Sequence, residues 1–122
     1  SERTSLVAMN SSAGYDQTNA IQVAMGDNHT LVLLSSGKDV GCGRGGNGQL
    51  GNNSTTLENK VLVAMNSSAG YNQSNAISIS AGNQFSTVLL NTGKVVAFGY
   101  QKSTGGGSPN IFFPKKIKKN IN

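Results

Sequence analysis

Residues 6–15, Leu-Val-Ala-Met-Asn-Ser-Ser-Ala-Gly-Tyr, recur letter for letter at 62–71. The offset of 56 residues (62 − 6) holds well beyond that block. Gln17, Asn19, Ala20 and Ile21 return as Gln73, Asn75, Ala76 and Ile77, and Val32-Leu33-Leu34 returns as Val88-Leu89-Leu90. Gly26, Gly37-Lys38 and Gly43 return as Gly82, Gly93-Lys94 and Gly99. A long internal period marks a solenoid or a propeller, in which each repeat is one small unit that buries its apolar face only against a neighbour. The period divides the chain into repeat one at 1–61, a degenerate repeat two at 62–113 and a basic tail at 114–122.

Inside each copy the local signals are those of β-strands. Residues 20–25 and 29–35 are short apolar-rich runs with Gly at their ends, followed by the turn Ser36-Gly37 and a returning run at 38–43. Gly supplies the positive φ that such a hairpin turn needs. The second copy repeats the layout around Asn91-Thr92-Gly93. Residues 30–34 are apolar on both faces, so that strand must be covered on both sides. A propeller blade, held between two neighbours, meets this demand. A helix does not fit runs this short, β-branched and broken by Gly at turn spacing. The expected fold is all-β: two tandem blades of a β-propeller.

Gly26-Asp27-Asn28-His29-Thr30, Leu33-Leu34, Ser36-Gly37-Lys38, Gly43 and Gly48-Gln49-Leu50-Gly51 together resemble the repeat of the regulator of chromosome condensation family. The resemblance covers most of residues 20–61. It implies a ring of seven four-stranded blades, with Gly26, His29, Gly37, Gly43, Gln49, Gly51, Gly82, Gly93 and Gly99 as the structural frame of the repeat. It also brings the activity of the family's founding member, nucleotide exchange on a small GTPase with chromatin binding. Copy two departs from the pattern: Phe85 replaces the His, and Gly105-Gly106-Gly107 stands where Gln-Leu-Gly is expected. The aromatic before Gly is Phe98 in copy two and Cys42 in copy one. Two blades cannot close a ring, since propellers take roughly 4–8. The missing blades come either from the same longer chain or from further copies of this one. The worn second copy, its prolines and the basic tail point to the C-terminal part of a longer chain.

The residues that carry chemistry elsewhere have plainer readings here. His29 is the only histidine, and one His supports neither a usual zinc site nor a base with an orienting partner. Cys42 fills the slot of a packed aromatic and has no evident base to activate it. The glycine run at 41–48 lacks the Gly-Lys-Ser/Thr and the following helix of a phosphate cradle. Glu2, Asp16, Asp27, Asp39 and Glu58 are the only carboxylates, and no acid recurs in copy two; by the offset, Pro114 stands for Glu58. No catalytic residue, cofactor site or metal site is expected, and the chain reads as a binding or scaffolding protein, not an enzyme.

The net charge is +5, yet four of the ten basic residues form one run, Lys115, Lys116, Lys118 and Lys119. The remainder carries six basic against five acidic residues, too near neutrality for a nucleic-acid groove. Nucleic acid is therefore expected only through the tail. No apolar run approaches the roughly 20 residues of a membrane helix. A lone cysteine fits a reducing compartment, cytoplasm or nucleus. Asn-x-Ser/Thr sequons at Asn10, Asn28, Asn52, Asn53, Asn66 and Asn72 keep secretion open. Protein partners are expected at the inter-blade loops, through Tyr15, Asp16, Arg44 and Tyr71, because tyrosine offers a large amphipathic area with little entropy to lose.

Overall fold

A computed structural model describes Leu6, residues 8–100 and the backbone of one further strand at the C-terminal end. Eight strands follow one another without a helix among the described residues: β1 Ala20–Met25, β2 His29–Leu34, β3 Asp39–Arg44, β4 Glu58–Ala64, β5 Ala76–Ala81, β6 Phe85–Leu90, β7 Val95–Gly99 and β8 Ile111–Lys116. They form two four-stranded antiparallel sheets, ordered β1-β2-β3-β4 and β5-β6-β7-β8. Each sheet is one blade. The expected all-β fold of two tandem blades is the one observed.

The turn between β2 and β3 is closed by Leu34 N–H to the Lys38 carbonyl (2.9 Å) and Gly37 N–H to the Leu34 carbonyl (2.9 Å). Leu90, Lys94 and Gly93 repeat it. Gly37 has φ +88°, and a Cβ there would overlap the carbonyl of Ser74 in the next blade. The glycine thus serves both the turn and the close approach of two blades.

The structural blade is out of phase with the sequence repeat. Residues 62–64 open the second copy by sequence, yet they lie in β4 and pair with β3 through Val40–Ala64 and Gly41–Val63. In blade two, Ile111 pairs with Gly99 where Asn59 pairs with Gly43 in blade one. The second copy therefore reaches its outer strand by a shorter path, and the offset that sets Pro114 against Glu58 fails here. β8 draws residues 114–116, assigned to the tail from sequence, into the sheet. Its position at the sheet edge tolerates Pro114, which has no N–H to donate.

The core sits between the blades. Leu31 and Leu33 from β2 pack with Met65, Tyr71, Ala76, Ile79, Val88, Leu90, Val96 and Phe98. On the other face of β2, Val32, Leu34, Val40 and Leu62 form a second cluster, covered by Ala13, Tyr15 and Cys42. β2 is therefore buried on both faces, as its unbroken apolar run requires.

Candidate interaction surface

Apolar packing between the blades is supplemented by polar links. His29 Nε2 lies 2.9 Å from the Ser86 hydroxyl, and Ser86 Oγ donates to the Gln49 carbonyl at 2.7 Å. The hydroxyl has one proton, which goes to Gln49, so His29 Nε2 is the donor to Ser86. Nδ1 is then the bare nitrogen, and it is buried without a partner. Burial holds the His29 pKa below its ordinary value. His29 is thus a buried structural donor, and the hydroxyl beside it, on Ser86, is buried and gives its own proton to the Gln49 carbonyl.

Gln22 Oε1 accepts from the Ile79 N–H at 2.8 Å, a second link from blade one to blade two. A third runs from the Asp39 N–H to the Tyr71 hydroxyl, 2.9 Å, and that hydroxyl donates in turn to Gln73 Oε1 at 3.3 Å. Desolvation pushes the Tyr71 phenol up to about 12. Tyr71 is 2% exposed. Its assignment as a partner-binding anchor is corrected: the ring belongs to the inter-blade core, because the loop that carries it passes between the two sheets.

Tyr15, the same residue one repeat earlier, is half-buried on the cluster of Val32, Leu34 and Val40. Its loop, residues 10–19, is held by an internal network. Asp16 Oδ1 accepts from the Thr18 N–H (2.9 Å) and hydroxyl (2.7 Å), and Asn19 Oδ1 accepts from the Asp16 N–H (3.1 Å). Asn19 Nδ2 donates to the Gly14 carbonyl and Gln17 Nε2 to the Met9 carbonyl. The loop at 66–75 repeats every bond with Asn72, Ser74, Asn75 and Gln73. Ala13 and Gln17, and their copies Ala69 and Gln73, all have positive φ. The Thr18 hydroxyl, then the Thr18 amide, lower the pKa of the exposed Asp16. The two loops therefore fold alike.

Arg44 lies at the opposite end of the sheet. It pairs in register with Glu58, and both line an open hollow of about 320 Å³ with Asn28, Gly43, Asn59 and Lys60. Two basic groups against one acid leave the hollow positively biased. The structure does not bring Arg44 together with Tyr15 and Asp16. Lys115 and Lys116 lie on β8; Lys118 and Lys119 lie outside the described residues.

The repeat frame falls where packing is tightest. Gln49 is buried, its Oε1 accepting from the Asn47 N–H at 2.8 Å. A Cβ on Gly26 would overlap the His29 ring, and one on Gly82 the Phe85 ring. Gly43, Gly51, Gly93 and Gly99 all have positive φ. Cys42 is half-buried, its thiol pKa raised by desolvation, beside the apolar cluster of blade one. Among the described residues no three His, Cys, Asp or Glu side chains gather as metal ligands, and no helix is long and apolar enough to cross a membrane.

Sequence reasoning passed over three residues of the interface. Gln22 and Ser86 are ordinary polar letters on strands, and only the pairing of blades reveals their work. Asp39 is fully buried with both carboxylate oxygens unpartnered, so desolvation raises its pKa well above the ordinary value. Its counterpart, Val95, was the available signal: a carboxylate occupies a position where the repeat elsewhere places an aliphatic side chain.

The sequence pattern of the regulator of chromosome condensation (RCC1) repeat matches residues 20–49 and 76–103. Comparison with curated proteins returned no match. Among solved structures the chain is similar to human WBSCR16, with TM-score 0.71 and 18% identity over 81% of this chain and 25% of that one. It is also similar to yeast RCC1 (Prp20) bound to Kap60, with TM-score 0.68 and 21% identity over 85% of this chain and 24% of that one. A third similar structure is Prp20p from Saccharomyces cerevisiae, described with its binding properties to Gsp1p and histones. It has TM-score 0.68 and 18% identity over 82% of this chain and 26% of that one. The chain spans about a quarter of the length of each of these structures. Two matches, each over the first three strands of one sheet and on a propeller-like backbone, show residues 20–49 and 76–103 to be repeats of the regulator of chromosome condensation type.

Proposed function

We propose that the chain serves as a protein-interaction module of a repeat propeller, a binding or scaffolding surface that does no chemistry of its own, with partners held by the loops at the ends of its blades. One observation carries this reading. The loop at 10–19 is preorganised by its own hydrogen bonds and stands at the surface with Asp16 and Thr18 exposed. A loop already fixed in one shape loses little entropy when it binds. The similar yeast structures are described with protein partners, Kap60, Gsp1p and histones, which supports partners of the same broad class here. The hollow beside Arg44 suits an acidic partner side chain, and the lysines of the tail suit phosphate. Cytoplasm or nucleus is the compartment that fits a lone half-buried thiol.

The test is site-directed photo-crosslinking in the native cell, with the reactive group at Tyr15, Asp16 or Arg44 and, as controls, at Ile77 and Val61. Partner adducts should concentrate at the loop positions. Adducts at the strand positions alone would overturn the reading. A structural role in a large assembly is the second reading, favoured by the identical folding of the two loops, since identical loops make identical lateral contacts. Nucleotide exchange rests on fold likeness alone. A direct exchange assay that stays at background with small GTPases removes it.

A further inference from the structure

At the end of blade one away from the loop at 10–19 lies the hollow of about 320 Å³ lined by Asn28, Gly43, Arg44, Glu58, Asn59 and Lys60. Its walls have separate causes. Gly43, at φ +96°, lets the end of β3 press against the turn between β1 and β2; a Cβ there would overlap the Asn28 carbonyl. The Arg44 N–H donates to that same carbonyl at 2.8 Å, which fixes the backbone from which the guanidinium side chain leaves. Across from it, β4 pairs with β3 through Gly43–Asn59 and Gly41–Val63, so residues 60–62 of β4 stand opposite Cys42 alone. A bulge of this kind re-aims the side chains beside it, and Lys60 lines the hollow. Asn59 ties the strands together, its Nδ2 donating to the Gly43 and Thr56 carbonyls at 3.3 and 3.2 Å.

Blade two builds the same end from other letters. The Tyr100 N–H donates to the Gln84 carbonyl at 3.0 Å as Arg44 donates to that of Asn28. Ile111 stands opposite Gly99 as Asn59 stands opposite Gly43. Tyr100, Ile111 and the following Phe112 thus take the positions of Arg44, Asn59 and Lys60. The backbone plan belongs to the repeat, whereas the charged lining belongs to blade one. Leu57, the residue before Glu58, is 51% exposed and lies against Gly46, and its carbonyl accepts from the Gly45 N–H at 3.0 Å. An exposed apolar side chain therefore stands at the rim of a charged hollow.

We propose that the hollow is the docking site for one acidic side chain, Asp or Glu, of a protein partner, with an apolar neighbour of that residue resting on Leu57. This rests on the reading of the chain as an interaction module and names the chemistry of one of its contacts. Arg44 and Lys60 against Glu58 leave one positive charge in excess. A single carboxylate neutralises it, while a phosphate monoester, at about −1.5 to −2, overshoots it. A volume of about 320 Å³ is at the small end of ligand pockets, roughly 300–1,000 Å³, and suits a side chain better than a cofactor. The planar fork of Arg44 matches a carboxylate with two parallel hydrogen bonds, and the Asn28 amide adds neutral donors. The bulge and Lys60 blunt the outer edge of the sheet as a template for an added strand, so the partner enters by its side chain.

The experiment titrates the 122-residue chain with the end-blocked peptide Gly-Leu-Glu-Gly and follows amide shifts by NMR. Versions with Gln or phosphoserine in place of Glu are the controls. The amides of Asp39 and Ile79, bonded between the blades, report within the same spectra that the chain is folded. The Glu peptide should shift Gly43, Arg44, Asn59 and Lys60 saturably, and the Gln peptide should bind about tenfold more weakly. Arg44→Ala should weaken the Glu peptide by about tenfold. Glu58→Gln, which removes the competing acid, should strengthen it by roughly two- to fivefold. Leu57→Ser should weaken both peptides alike and keep the preference for Glu. The absence of a saturable shift in the folded chain overturns the site, as does equal binding of the Gln peptide or full binding by Arg44→Ala. Tighter, Arg44-dependent binding of the phosphoserine peptide overturns its assignment to a carboxylate. Photo-adducts at Tyr15 or Asp16 beside a silent hollow would sink this site and leave the interaction module standing.

Discussion

Blade one and blade two are nearly the same strand plan on nearly the same letters, and they differ in what covers their near faces, those on the side of the preceding repeat. Val88, Leu90, Val96 and Phe98 of blade two sit against Leu31 and Leu33 and are at most 1% exposed. The corresponding Val32, Leu34 and Val40 of blade one are buried as well, at 1–3%, but under their own blade's Leu62 and its loop residues Ala13 and Tyr15; the exposure differs on β1, where Val23 is 60% exposed and its counterpart Ile79 5%. On β1 burial is a property of the neighbour rather than of the sequence, as a one-dimensional stack of repeats requires. Polar chemistry differs more subtly. Three side-chain links described above join blade one to blade two, and two of their side chains, His29 and Gln22, have no chemical equivalent on the far face of blade two.

Paired substitutions at equivalent positions test this contrast. The largest effect is expected at Phe98→Ala, at about 3–5 kcal/mol of unfolding free energy. Leu62→Ala should cost about 2–5 kcal/mol, while Leu6→Ala, the same residue in the same local sequence, should stay within about 0.5 kcal/mol. Urea denaturation monitored by circular dichroism reads all three, and a Leu6 cost equal to that of Leu62 would erase the contrast. Tyr71→Phe leaves the buried Asp39 N–H without an acceptor and should cost roughly 1–3 kcal/mol. Tyr15→Phe should lie within about 0.5 kcal/mol of the parent.

Asp39→Val, which installs the letter of blade two, should stabilise the fold by about 1–3 kcal/mol at neutral pH, since it removes a buried group without partners. The pH dependence checks the cause. The folded pKa of Asp39 is raised, so the folded state holds its proton more tightly than the unfolded chain. Its contribution is therefore complete below the ordinary value of 3.8 and is lost as pH rises through the higher folded value. His29 has the opposite sign. Its folded pKa is lowered from 6.5, so its contribution is complete above that value and is lost as pH falls through the lower folded value. Asp39→Val should abolish the decline on raising pH and keep the decline on acidification, whereas His29→Phe should abolish only the latter. Midpoints of thermal unfolding between pH 4 and 8 decide it. The smallest effect is expected at Asp16→Asn: Asn72 makes the same bonds in the second loop, so no shift of the midpoint should be measurable at neutral pH.

The strand plan was legible because its signals are local. Gly37 and Gly93 mark turns, the run at 31–34 demands two-sided cover, and the period sets the number of blades. The site was less so. Tyr71 was taken for a surface anchor because its letters are those of an exposed loop, and only the path of that loop between two sheets shows otherwise. Gln22 and Ser86 escaped notice because their bonds span 57 and 37 residues and leave no local pattern. The end of the second repeat is hard to read where the path to β8 shortens, since a change in loop length shifts an offset without changing any motif.

Because residues 58–76 supply the outer edge of one blade, the wedge between the blades and the first residue of the next, no cut separates one blade from the other cleanly. Detaching β4 from β3 pulls Met65 and Tyr71 out of the shared core, and loosening β5 exposes Leu31 and Leu33. The two sheets are therefore one cooperative folding unit. Heat or denaturant should melt them in a single transition, and a protease that opens the junction should degrade both, leaving no stable single-blade fragment.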